Sequence, residues 1–187
     1  MGQDETYLAG LVFHELAHQR VYVNDDSPFN EAFAVAVETT GVKNWLGVNG
    51  DAIGLRRYEA SQKRSAEFRA LVSQTRDELS LIYATADTAE QKRAKKSAAI
   101  ERLRMRYRQM RNNRWDGYRG YDGWFDAPIN NAKLAATSVY NDQVPAFLCL
   151  FDLRAGDYPK FYAAVRRVGA VGKANRAEAL ETTNTCD

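Results

Sequence analysis

Histidine is nearly absent from this chain. Two occur in 187 residues, His14 and His18, four positions apart. Cysteine is as scarce: Cys149 and Cys186 allow one bridge at most, which excludes a disulfide-built scaffold, and a buried thiol plus a tail thiol is the expectation. No apolar run reaches the roughly 18 residues of a membrane-spanning helix, and no basic-then-apolar leader opens the stretch. Charge of either sign is not in excess, with 26 basic against 24 acidic residues and a net charge of +2, so bulk charge selects no partner. Strand patterning is also sparse. The apolar run Val144–Leu153, broken by Pro145, is the one ambiguous segment.

What is present is an ordinary globular composition, 45% apolar and 27% charged, long enough for one core plus a helical lobe. Residues 7–22 place Tyr7, Leu8, Leu11, Val12, Leu16 and Ala17 at spacings of three and four, which predicts a helix with one buried face. Ser27 and Pro28 mark a second helix start, with Gly41 as its expected C-cap, and residues 42–55 read as a glycine-rich connection. Phe68, Leu71, Thr75, Leu79 and Ile82 then form one stripe, and Ile100, Leu103, Tyr107 and Met110 another. Joined across residues 84–90, these two long helices predict an antiparallel hairpin. Helices are also expected over 128–140 and 158–168. The fold class expected is mainly α. Its parts are a helical segment over 1–56 around the histidines, a basic hairpin over 57–114, and an aromatic loop with C-terminal helices over 115–187 that pack back on the first segment.

Residues 92–114 carry ten Lys or Arg and one Glu. No nucleic-acid-binding module accompanies them and aromatic platforms are few, so the run reads as the solvated face of a long helix, with no specific nucleic-acid partner. The following stretch, WDGYRGYDGWFDAPINNAKLAA, is a shaped loop rich in glycine, aromatics and aspartate, of a kind that often lines sites.

The chemistry concentrates in FHELAHQRVYVNDDSPFNEAFAVAVE, residues 13–38. His14-Glu15-x-x-His18 puts two imidazoles over one helix face, where both can reach one ion, and offsets Glu15 by one position, where it can handle a water that the ion activates. A catalytic zinc site takes three protein ligands and leaves one position open. With no third histidine and no nearby cysteine, the third ligand is expected to be a carboxylate: Asp25, Asp26, Glu31 or Glu38. Glu31 and Glu38, seven apart, share a helix face, so one can bind the ion while the other orients a histidine.

His14-Glu15-x-x-His18 followed by Asn30-Glu31-Ala32-Phe33-Ala34 resembles the gluzincin metallopeptidases. That resemblance implies His14, His18 and Glu31 as zinc ligands and Glu15 as the catalytic base, with Glu38 behind a histidine or as an alternative ligand. A longer pattern, HELAHQRVYVNDDSPFNEAFAVAVE with WFDAPINNAKL, is similar to a bacterial family described as predicted aminopeptidases. It implies a zinc-dependent peptidase acting on peptides in the bacterial cell envelope or periplasm. Members are longer, with an N-terminal half and an export or lipoprotein signal. Zincins carry a sheet before the metal helix, and 13 residues before His14 are too few for it, so a chain lacking that sheet region is expected.

Zincins often recruit a later tyrosine or histidine to the oxyanion. No later histidine exists, so Tyr118, Tyr121 and Tyr140 are the candidates. Tyr22, one turn past His18, is expected to pack beside the ion. A free substrate amine calls for a carboxylate, for which Asp25, Asp122 and Asp126 are available. Asn130 and Asn131 read as helix caps. The competing expectation is a metal-stabilised helical module without catalysis; an intact Glu15 favours the enzyme, because a purely structural site needs no base.

Overall fold

The computed structural model of the chain describes residues 3–137 and 143–182. Among these residues the regular elements are all helical, so the fold is mainly α. The chain divides into two compact units, residues 1–59 with 139–187, and residues 60–138.

In the first unit α1 (Gln3–Arg20) and α2 (Ser27–Val48) pack against each other. The turn between them is set by Asp25, which adopts a left-handed φ of 61°, and by Asp26, whose side chain caps α2 at Phe29 N, with Pro28 in the first turn. From α2, Phe29, Ala32, Phe33, Ala36 and Val37 are buried. They meet Phe147 and Leu150 of α7 (Val144–Asp152) and Phe161, Val165 and Val168 of α8 (Tyr158–Gly169), with Leu180 of α9 (Arg176–Thr182) completing the core. The Phe33 ring lies 6.0 Å from Phe147 and 5.8 Å from Phe161, the spacing of favourable aromatic pairs.

Three expectations are corrected in this unit. Gly41 does not end α2, which runs on to Val48: a Cβ there would sit 2.8 Å from the Phe13 ring, so the glycine serves close approach of α1 and α2 within a continuous helix. Of the apolar residues expected on the buried face of α1, Ala17 is buried and the larger ones are not. Tyr7 and Leu8 are 74% and 59% exposed, Leu11, Val12 and Leu16 are exposed as well, and Gly10, Ala17 and Val21 are the buried positions. Cys149 is disulfide-bonded, where a free thiol was expected. The ambiguous run at Val144 is helical, because Pro145 falls in the first turn of α7, where its missing N–H costs nothing.

The second unit is built on the hairpin of α3 (Ala52–Ala84), which it contains from Ala60 on, and α4 (Ala89–Asn113). Thr88 and Gln91 form a reciprocal capping box that starts α4. Glu78 pairs with Arg102, and Glu67 with Arg114 at 2.6 Å, which fixes the antiparallel register. Phe68, Leu71, Val72, Thr75 and Leu79 are buried with Ala99, Leu103 and Tyr107. The aromatic loop adds Trp115, Phe125, Ile129 and Leu134 to this same core, through α5 (Asp122–Asp126) and α6 (Asn131–Ala136). Phe125 stacks on Tyr107 at 3.9 Å and Tyr121 on Phe68 at 4.4 Å. The end of the helix expected over 128–140 lies outside the described residues.

Candidate metal centre

Four residues apart on α1, His14 and His18 stand on a face next to the buried Ala17 and Val21, with ring centroids 5.1 Å apart. Glu31, on the opening turns of α2, faces both rings. Its Oε2 lies 3.4 Å from His14 Nε2 and its Oε1 lies 3.6 Å from His18 Nε2, so one carboxylate spans two imidazoles. Two turns further along α2, Glu38 Oε2 lies 3.2 Å from His14 Nδ1. Room for Glu38 comes from Gly10, one turn before His14: a Cβ at Gly10 would stand 3.3 Å from Glu38 Oε1.

The turn that delivers Glu31 is clamped by its neighbour. Asn30, 2% exposed, accepts a hydrogen bond from Val23 N at 2.9 Å and donates one to Val23 O at 2.8 Å. Both backbone groups of Val23 are thereby satisfied by one amide, and the start of α2 is tied to the end of α1. Asp26 is engaged elsewhere, capping α2 and pairing with Arg176 at 2.7 Å. Asp25 uses its carbonyl, which accepts from Lys173.

The donor set fits a small divalent cation. Donor atoms of His14, His18 and Glu31 lie within 4.8 Å of one another, the one such group among the described residues. Four ligand atoms around zinc, each at ~2.0–2.1 Å, sit about 3.3–3.4 Å apart on the edges of a tetrahedron; Glu31 Oε2 stands 3.4 Å from His14 Nε2, and the other oxygen, Oε1, stands 3.6 Å from His18 Nε2. The tautomer matters too. With Nδ1–H donated to Glu38, His14 turns the lone pair of Nε2 toward a carboxylate oxygen, and two acceptors face each other across a gap that suits a cation. His18 has no such support: its Nδ1 is buried and without a hydrogen-bond partner among the described residues.

The model of the family described as "Putative aminopeptidase" matches residues 1–180. The chain belongs to that family. Comparison with curated proteins and with solved structures gives no significant match. Membership of an aminopeptidase family points to peptides as substrates, and no helix among the described residues is long and apolar enough to cross a membrane.

The other residues singled out in this aminopeptidase-family chain are distributed as follows. Glu15 is exposed on α1, and no hydrogen bond or ion pair engages its carboxylate among the described residues. The Tyr22 ring meets His18 edge-on at 6.5 Å. Tyr118 and Tyr121 belong to the second unit, where Arg64 lies over the Tyr118 ring at 4.2 Å and Tyr121 stacks on Phe68. Asp122 is engaged there by Tyr107, Arg111 and Arg119. Asn130 caps α6 by accepting from Lys133 N, and Asn131 accepts from Tyr83 and Lys96. Tyr140 lies outside the described residues. Sequence reasoning missed the parts played by Gly10 and Asn30. The signal available for Gly10 was its position four residues before His14, on the same helix face.

Proposed function

We infer that the protein is a zinc-dependent peptidase with a gluzincin-like site, most simply an aminopeptidase. The observation that carries this reading is the cluster of His14, His18 and Glu31, whose donor atoms all lie within 4.8 Å of one another, with Glu31 facing both Nε2 atoms. His14, His18 and Glu31 would hold the ion. Bound there, zinc would supply a Lewis acid that acidifies water and polarises a peptide carbonyl. Glu15 takes the proton of the attacking water and returns it to the leaving amine. Glu38 fixes the His14 tautomer. A later tyrosine O–H is the candidate donor for the developing oxyanion.

The same reading puts the protein in the bacterial cell envelope, an oxidising setting in which the disulfide at Cys149 would persist.

The test measures bound zinc and hydrolysis together. One zinc per chain is expected in the wild type and in Glu15→Gln, with loss in His18→Ala and Glu31→Ala. Cleavage of unblocked but not N-acylated peptides would identify an aminopeptidase. A folded chain that takes up no zinc would overturn the reading, and zinc without hydrolysis of any peptide would leave a metal-stabilised helical module in its place.

A further inference from the structure

The basic run of α4, which peptide hydrolysis does not use, forms part of a built pocket. Arg104, Arg108 and Arg111 follow one another at spacings of four and three residues on one side of the helix. Arg119 reaches the same cavity of about 290 Å³ from the aromatic loop. Tyr107 and Phe125, buried and stacked on each other, supply its apolar wall.

Two carboxylates also line it, Asp122 and Asp126. Asp122 accepts from Tyr107 Oη, from Arg111 Nη1 at 3.1 and 3.2 Å and from Arg119 Nε at 2.6 Å. It therefore holds two guanidiniums in place while leaving each with further N–H groups to offer. Arg104 is fixed by Phe125 O at 3.2 Å and by Glu101 at 2.6 Å. Arg108 is exposed and has no hydrogen bond or ion pair among the described residues. Four guanidiniums stand against Asp122, Asp126 and the Glu101 that pairs with Arg104, which leaves a surplus of one positive charge, carried by the unpaired Arg108.

We propose that this pocket binds a phosphate group, carried by a small ester or a lipid headgroup. A phosphate monoester is anionic at neutral pH and is drawn to a net positive pocket, and the planar fork of arginine suits its oxygens. An extended nucleic acid fits poorly. Its bases need exposed aromatic faces, whereas Tyr107 and Phe125 are spent in the core and Asp126, exposed at the rim, repels a continuing chain of phosphates.

The test titrates the whole chain with glycerol phosphate by calorimetry, and sediments it with phosphatidylcholine vesicles with and without phosphatidic acid. Arg108→Ala, at an exposed position, is expected to weaken binding about tenfold, the loss of one charge-assisted contact. Arg106→Ala, exposed on α4 but outside the pocket lining, is expected to leave it unchanged. Binding of both probes with that split identifies a phosphate ester. Binding to phosphatidic acid vesicles alone, with the same split, identifies a lipid headgroup. Equal weakening by the two variants, binding of neither probe, or tighter binding of a single-stranded oligonucleotide than of either would overturn the proposal.

Discussion

Glu38 holds His14 from behind. Its Oε2 lies 3.2 Å from Nδ1 of the ring whose Nε2 faces Glu31. A carboxylate in this position fixes the tautomer and strengthens the donor nitrogen, and its loss lowers metal affinity by about 10–100-fold. Glu38→Ala is therefore expected to bind zinc in that reduced range, while Glu31→Ala loses stable binding altogether. Competition with a chromogenic chelator distinguishes them. Wild-type affinity in Glu38→Ala would show that His14 needs no such support.

Glu15 occupies a different role and separates from the ligands in one experiment. Glu15→Gln keeps the size and polarity of the side chain and removes the base. Zinc content should stay at one per chain while peptide hydrolysis falls by about 10²–10⁴-fold. Parallel loss of metal and activity would make Glu15 a structural group.

The mainly α fold and the hairpin were legible because their apolar stripes keep a helical period over many turns. The histidine pair was legible because its spacing equals one helical turn. Spacing alone left the carboxylate that meets them open among Asp25, Asp26, Glu31 and Glu38, and the gluzincin resemblance named Glu31. Glu31 and Glu38 share a face of α2 by their spacing of seven, and only the packing of α1 against α2 decides that Glu31 meets Nε2 while Glu38 meets Nδ1. The larger residues of α1 were assigned to the core for a related reason. Its large apolar residues lie at nearly every angle, so periodicity included Ala17 but could not select Gly10 or the following Val21, which are buried with it. Gly41 looked like a helix end for want of its partner, Phe13, which lies 28 positions earlier.

Asp122 makes the second unit sensitive to acid. Hydrogen bonds from Tyr107 and Arg119, with Arg111 adding its charge, pull its carboxyl down to about 2 from an ordinary value of 3.8. Because the folded state binds this proton less readily than the unfolded chain, its stabilisation is complete above about pH 4 and is lost as pH falls toward 2. Asp122→Asn should be less stable than wild type at pH 7, and the gap in urea midpoint should close across that acid window. A gap that persists unchanged to pH 2 would mean that the ion pairs do not carry it.

Asn30 links stability to the metal centre. Replacing it with alanine leaves the part-buried N–H and C=O of Val23 without their amide partner, at a cost toward the lower end of the about 1–3 kcal/mol of an unsatisfied buried group. The loss should appear in urea unfolding. It should also appear under native conditions, as weaker zinc binding by folded Asn30→Ala protein, because Glu31 follows Asn30 on the turn that the amide clamps. Phe33→Ala is the comparison. Its ring is fully buried among Phe147, Phe161 and Tyr162, and its removal costs about 3–5 kcal/mol, yet it touches none of the ligand atoms. Reduced stability with near-normal zinc affinity is expected for folded Phe33→Ala, and reduction of both for Asn30→Ala. Full affinity in Asn30→Ala would place control of the turn with the Asp26 cap and its Arg176 ion pair instead.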